Sequence, residues 1–574
     1  MKRPSLPSLL PLLPALAAVL LYFLIFFRFS VDIPFGDDYA VLSYVLNATN
    51  PSVPAKLPLL FSLHNEHRIV TLRLAALASY AILHRLDFVL IALLGNLGLL
   101  GLAWLLTQGP HPRGLPPPDL PPKWMGAAAW MPVACLLFQP QHREILNWAM
   151  CAFTNVYVIL LSFLSLYFLA RAKSGLSFAA AISLAVLAAF TNGNGIFVVF
   201  VGAIVLLLGR QFRRLGVWLS CGTITLGLYF WGYVKNPAHP DILPFLAASP
   251  LKAANYFFAV LGSFADFGQK SHAVPIGAGL LLFLAALLAL WKLRDRHVLL
   301  FSWIAFLLLS FGANALTRAP MGLEMAFMSR YKLLSILLVV LLYLSALALA
   351  RRKRTTALAG SMFAVLFCAF SFVLNYHFVR DNKVVLSMNL IEWNARKADL
   401  PYPNQQQAES ILRLASVRHI YRPPAGLNIR RSTFPFGGID GGQDAVIAGQ
   451  DEIQVTGWAL DDGGRPSIIV RRERAPGDPP TAFRSDGRIY VGKASFRNGS
   501  IPGGQREFYG FLGLDRMIWE FRAGAGQLGP RGKAGAIRLS FLARDDIGQE
   551  TLLGTRVVLF PPQESSALPE LRLD

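Results

Sequence analysis

Apolar runs of 17 to 25 residues recur through the first two thirds of this chain, with short Lys- and Arg-rich segments between them. A helix rises about 1.5 Å per residue, so about 20 apolar residues cross a hydrocarbon core about 30 Å thick. No soluble globule buries so many such runs. Composition agrees, with 54% hydrophobic and 15% charged residues, against about 25% charged in a soluble domain. The net charge of +21 sits in short basic clusters between apolar runs. This is the distribution of cytoplasmic loops in a polytopic membrane protein, not of a nucleic-acid groove, so no nucleic-acid partner is expected.

The first run, about 9–29, follows Met1, Lys2 and Arg3. It is too long for a cleaved signal peptide and is read as a first membrane helix with a cytoplasmic N-terminus. Further runs fall at about 87–107, between the Pro-rich loop 108–123 and residue 139, and then in pairs. The pairs are about 152–170 and 176–192, 195–209 and 215–234, 274–291 and 298–316, and 333–350 and 356–378. Four basic clusters, Arg171/Lys173, Arg210/Arg213/Arg214, Lys292/Arg294/Arg296 and Arg351/Arg352/Lys353/Arg354, should be cytoplasmic. That assignment puts loop 108–123 inside, and residues 30–86, 139–151 and the whole tail outside. Glu66 to Arg85 carries Arg68, Arg73, His84 and Arg85, which suits an amphipathic helix lying on the membrane better than a spanning one. The expected fold is therefore an α-helical polytopic membrane module over 1–378 with about eleven spans. A linker with some helix follows over 379–440, and then a periplasmic all-β, sandwich-like soluble domain over 441–574. Cys135, Cys151, Cys221 and Cys368 lie in or beside apolar runs and have neither metal nor disulfide spacing.

Acidic residues are scarce in the membrane module. Twenty-two of the 33 Asp and Glu fall in 379–574, and nine of the eleven others face outside in this topology. A cavity open to the outer face accounts for that bias. Its sharpest element is the first outer loop, which begins Val31-Asp-Ile-Pro-Phe-Gly-Asp37-Asp38-Tyr39 and ends His64-Asn-Glu66-His67-Arg68. Adjacent carboxylates repel, so one of the pair is expected to have a raised pKa or a partner. A carboxylate held there can act as general base toward a hydroxyl. Asp37 and Asp38 are thus the candidate catalytic residues. His64, Glu66, His67 and Arg68 supply proton carriers and a guanidinium for a phosphate. A divalent metal on His64, Glu66 and His67 matches no strong ligand spacing, and no cofactor is firmly implied. Glu144, Asn147 and Trp148 in the outer segment from Gln139 suit a sugar by hydrogen bonds and stacking. Arg318, Arg330 and Tyr331 stand in or beside an outer loop, where the positive-inside rule does not explain the arginines. Thr191-Asn-Gly-Asn-Gly195 is most economically a tight turn.

An acidic pair just after helix one, followed by interfacial helices, resembles the GT-C superfamily of membrane glycosyltransferases. Protein O-mannosyltransferases, aminoarabinose transferases, oligosaccharyltransferases and mycobacterial arabinosyltransferases belong to it. Phe-Gly-Asp37-Asp38-Tyr, His-Asn-Glu66-His-Arg68 and Ser329-Arg330-Tyr331 are similar to poorly characterised bacterial members. The resemblance implies a loop Asp as catalytic base, here Asp37 or Asp38, and inverting transfer. It also implies a polyprenyl-phosphate-linked sugar as donor, bound in a membrane-facing cleft, and a glycan or lipid hydroxyl as acceptor in the cell envelope. No Pro-Pro-Leu-type motif follows the acidic pair, so an acceptor class does not carry over. Another envelope glycan polymerase or ligase would centre on Arg and His. A transporter would show inverted repeats and midplane charges, neither of which is present. A non-enzymatic scaffold stays open at this stage.

In the tail, short alternating runs begin at Glu452, Ser467, Arg488, Phe508, Ala536 and Thr555, and Gly, Pro and Asp separate them. This is the pattern of a β-sandwich. Trp458 and Tyr509 are candidates either for the core or for glycan stacking.

Overall fold

The computed structural model describes residues 12–108, 122–235, 240–269, 271–396, 400, 402 and 404–424, together with the strands of the C-terminal region and Leu528. The chain is mostly helical and ends in a small β-sheet region. It divides into two compact units, one of residues 1–379 with 402–423 and one of 380–401 with 424–574.

Six helices among the described residues are long and apolar enough to cross a membrane, and they mark the chain as a membrane protein: Phe88–Thr107, Ala149–Ala170, Ala273–Leu293, Val298–Arg318, Ser329–Leu349 and the first part of Lys353–Arg396. Leu13–Phe29, Val70–Leu83 and Gly175–Ala189 are shorter apolar helices, as is Phe197–Leu208 with the 3-10 turn Gly193–Ile196 before it. Pro122–Leu137 and Phe212–Phe230 complete the long elements of this unit. Loop 108–123 lies almost entirely outside the described residues.

Because lipid is as apolar as leucine, such helices are held by close approach and by buried polar groups. Gly95 shows the first device. A Cβ there would lie 2.5 Å from the Ala152 backbone, so only glycine lets Phe88–Thr107 cross Ala149–Ala170 this closely. Asn96, one residue on, shows the second. It accepts from the Tyr22 hydroxyl at 2.5 Å and donates to the carbonyls of Ile145 and Leu146. One amide thus ties the first helix, Phe88–Thr107 and the 140s turn together.

Every helix near the candidate site alternates in direction. Ala149–Ala170, Phe197–Leu208 and Ser329–Leu349 start at one end of the bundle, where Gly175–Ala189, Phe212–Phe230 and Val298–Arg318 finish. The four basic clusters follow or precede these helices at their other ends.

Val70–Leu83, the segment expected to lie on the membrane, buries Val70, Leu72, Arg73, Ala76 and Ser79 on one side and exposes Leu74, Ile82 and Leu83. Two short helices, Asp38–Ala48 and Lys56–Phe61, precede it. Residues 402–423 come back to this region from far along the chain. The helix Gln405–Val417, capped by Asn404, buries Ala408, Leu412 and Ala415. The Tyr402 ring packs on Tyr39 at 5.1 Å, the Tyr421 hydroxyl donates to the Asp32 carbonyl at 2.6 Å, and Leu86 N–H donates to the Ile420 carbonyl at 2.6 Å.

Among the described residues the second unit holds nine strands: β1 437–439, β2 445–447, β3 452–461, β4 467–473, β5 488–493, β6 495–496, β7 515–524, β8 535–544 and β9 550–560. One sheet runs β1-β3-β7-β6 and the other β2-β9-β8-β4-β5. β3 pairs antiparallel with β7, and β2 pairs parallel with β9. Alternation explains the core, since strand side chains point to opposite faces with period two. Ile453 and Val455, Trp519, Phe521 and Ala523, and Ile537, Leu539, Phe541 and Ala543 are all buried in one cluster drawn from both sheets. Trp519 stacks on Phe541 at 5.3 Å and stands opposite Gly457 in the β3–β7 register. The sequence reading did not single out β7. The run from Phe508, Tyr509 included, and the Trp458 side chain lie outside what is described.

Candidate active site

The two adjacent aspartates have opposite fates, and Gly36 is the reason. With φ at +53° it turns the chain into the helix Asp38–Ala48, and a Cβ there would lie 3.1 Å from the Trp148 ring. The turn sends Asp38 inward, where it is buried. Its carboxyl accepts from the N–H of Met150 at 2.8 Å and of Phe35 at 3.2 Å. Asp38 therefore serves as an N-terminal acceptor for Ala149–Ala170, whose own preceding residue, Trp148, makes no side-chain cap. Burial pushes its pKa up to about 8 against the pull of these amides, and the neighbouring Asp37 charge adds to the rise. A buried carboxyl that keeps its proton near neutrality is no general base.

Asp37 instead faces the cavity, its side chain 42% exposed. It does not cap its own helix. Partial burial alone would raise its pKa. The His64 hydrogen bond and the charges of His64, Arg330 and His67 outweigh that and hold the carboxyl below its ordinary value.

His64 comes from a two-residue turn. His64 and His67 exchange backbone hydrogen bonds at 2.8 and 2.9 Å, and Asn65 adopts φ +49°, a conformation that asparagine tolerates. An opposed pair of this kind presents both imidazoles on one face. His64 Nε2 then lies 3.5 Å from Asp37 Oδ1. His67 is seated by Gly193, where a Cβ would stand 2.6 Å from its Nδ1.

Arg330, whose charge reaches Asp37, opens the helix Ser329–Leu349. Glu144 holds it twice, Oε2 accepting its backbone N–H at 2.9 Å and Oε1 its guanidinium at 3.1 Å. Ser329 Oγ accepts the Glu144 N–H at 3.0 Å. The guanidinium also lies over the rings of Trp148, at 5.6 Å, and Tyr331, at 5.1 Å.

Asp37, His64, Glu66, His67, Trp148, Arg318, Arg330 and Tyr331 all line one cavity of about 360 Å³, within the roughly 300–1,000 Å³ of small-molecule sites. Four other candidates stand outside its lining. Asp38 lies beneath it. Glu144 acts through Arg330. The Asn147 Nδ2 is buried and has no hydrogen-bond partner among the described residues. Arg68 is buried and donates to the carbonyls of Tyr229, Phe61 and Trp231, so it braces the walls of the loop.

The sequence reading missed much of the lining. Asn155, Asn314, Tyr229 and Tyr233 belong to it, and Asn192 and Asn194 line it from the segment read as a turn. The available signal was an isolated carboxamide inside an apolar helix, which membrane interiors rarely tolerate without a role. Among the described residues no three His, Cys, Asp or Glu side chains converge as metal ligands, and His64, Glu66 and His67 do not form such a set.

The arrangement sets an ionised carboxylate beside an imidazole in one polar, aromatic-lined cavity that Arg318 and Arg330 also line. It can take a proton at the carboxylate and hold an anion at the guanidiniums. No family model, curated protein or solved structure matches this chain.

Proposed function

We propose that this protein is a membrane glycosyltransferase that moves a sugar from a polyprenyl-phosphate donor to a hydroxyl acceptor, a glycan or lipid of the cell envelope. The observation that carries the reading is the Asp37 carboxylate, held below its ordinary pKa and sharing one cavity with Arg318 and Arg330. An acceptor hydroxyl attacks the anomeric carbon and gives its proton to Asp37 as the bond forms. The bond from that carbon to the phosphate oxygen breaks with its electron pair, and polyprenyl phosphate leaves. A single displacement inverts the anomeric centre. General-base assistance is worth about 10²- to 10⁴-fold. The charge on the leaving phosphate falls to Arg330 and Arg318, which suit an anionic oxygen by charge-assisted hydrogen bonds.

The topology belongs to the same proposal. Six long helices, together with those at 13–29, 122–137, 175–189, 193–208 and 212–230, make eleven spans, and Val70–Leu83 lies at the interface. All four basic clusters stand at the ends away from the cavity. Positive-inside logic then puts the cavity and the C-terminal β domain on the outer face of a bacterial plasma membrane. Mass analysis of lipid-linked sugars in a deletion strain complemented with wild type or Asp37→Asn tests the function. Deletion and Asp37→Asn should both accumulate one polyprenyl-phosphate sugar and lose one envelope modification. Unchanged pools in the deletion strain would contradict the proposal.

A further inference from the structure

The cavity has two chemically distinct levels. Its charged groups, Asp37, His64, Arg318 and Arg330 among them, stand at helix ends or in the outer loop. Its deeper lining is neutral. At 1.5 Å per residue, Asn314 and Ser310 lie about 6 and about 12 Å along their helix from Arg318, and Asn155 lies about 10 Å from Trp148. Asn192 and Asn194 join them from the turn between two apolar helices.

Four of these carboxamides are fixed by one end only. Asn155 Nδ2 donates to the Cys151 carbonyl at 3.0 Å, and Asn194 Nδ2 to Ser310 Oγ at 3.4 Å. Asn192 Oδ1 accepts from Gly193 N–H at 2.7 Å, and Asn314 Oδ1 from the Tyr256 hydroxyl at 3.1 Å. That leaves the Oδ1 of Asn155 and Asn194 and the Nδ2 of Asn192 and Asn314 without a protein partner among the described residues. The floor thus offers two acceptors and two donors, each oriented by the bond at its other end. A hydroxyl group donates and accepts at once, and it answers such a mixed set. A charged group would enter a neutral chamber walled by membrane helices, where it is costly.

We infer that the floor of the cavity binds a neutral sugar with free hydroxyls, hydrogen-bonded by Asn155, Asn192, Asn194 and Asn314, while the rim holds the phosphate. The inference rests on the proposed donor class and narrows it, excluding amino sugars and uronates as the transferred group.

The test is binding of short-chain probes to the full-length protein in nanodiscs: neryl phosphate alone, and its conjugates with glucose, mannose, glucosamine and glucuronate. A neutral-hexose conjugate should bind more tightly than neryl phosphate, by roughly fivefold for each hydrogen bond of ordinary net strength. Asn155→Leu with Asn314→Leu should erase that gain and leave neryl phosphate affinity unchanged, which also shows that the variant is folded. If neryl phosphate binds but neither hexose adds affinity, or if the amino or acidic conjugate binds more tightly than both hexoses, the inference is wrong and the functional proposal stands. Failure of every probe, neryl phosphate included, would overturn both.

Discussion

Asp37 and Asp38 are neighbours in sequence, and their separation into a cavity-facing carboxylate and a buried one follows from a single glycine turn. The sequence marked the pair but left open which would be the base. That choice depends on Met150 and Phe35, whose amides claim Asp38, and the Met150 contact joins positions 112 residues apart. The His64 hydrogen bond lowers the pKa of Asp37, so the proposed base stays ionised down to acid pH, and activity should decline only as pH falls through that depressed value. His64→Gln removes the imidazole that lowers the Asp37 pKa, raises that pKa and shifts the acid limb of the pH–rate profile upward. An unmoved limb would separate the two residues functionally. The linkage to stability runs oppositely for the two acids. Asp37, lowered, adds stability above its unfolded pKa of about 3.8 and loses it as pH falls through the folded value. Asp38, raised to about 8, makes folding less favourable as pH climbs from about 3.8 to about 8. Replacing Asp38 by Leu strands two buried amides at about 1–3 kcal/mol each, so thermal unfolding of that variant should come markedly earlier than that of Asp38→Asn, which keeps an acceptor.

Among the elements, long apolar helices were the easiest to read, because their periodicity matters less than their length. Asp38, read as a candidate base, and Arg68, Glu144 and Asn147, read as substrate contacts, stand outside the cavity lining. A guanidinium that satisfies three backbone carbonyls looks the same in sequence as one that waits for phosphate. The return of residues 402–423 was also hidden. Their helix buries only Ala408, Leu412 and Ala415, a stripe too small to signal docking, and its anchors are single hydrogen bonds to residues more than 300 positions earlier. This segment packs beside the strand of chain that carries the acidic pair, with Tyr402 against Tyr39 and Tyr421 on the Asp32 carbonyl. Tyr421→Phe removes one buried bond, worth about 0.5–1.5 kcal/mol. Leu412→Asp, a buried charge, should release the helix outright. Proteolysis around residue 404 should then accelerate in Leu412→Asp and little in Tyr421→Phe. Equal resistance in wild type and Leu412→Asp would mean that the contact is weak.

For the whole molecule, the change from 3.6-residue to two-residue periodicity near residue 440 was legible, and the strands from Glu452, Ser467, Arg488, Ala536 and Thr555 match it. β7 was passed over although Trp519, Phe521 and Ala523 alternate with Glu520 and Arg522 along it and Trp519 is the largest anchor of that core. Sidedness can be checked directly. In a background lacking reactive native thiols, Ser52→Cys should react with an impermeant maleimide from outside intact cells, and Lys173→Cys only after permeabilisation. The reverse pattern would invert the proposed topology.

The central claim is that Asp37, not Asp38, takes the acceptor's proton. Its most direct test is transfer from a polyprenyl-phosphate sugar in vesicles containing the full-length protein, wild type against Asp37→Asn and Asp38→Asn. The account predicts that Asp37→Asn loses about 10²- to 10⁴-fold in turnover while staying folded, its melting temperature lowered only by the lost interactions of the Asp37 carboxylate, and that Asp38→Asn keeps most of its rate at somewhat lower stability. Near wild-type transfer by a folded Asp37→Asn protein would contradict it.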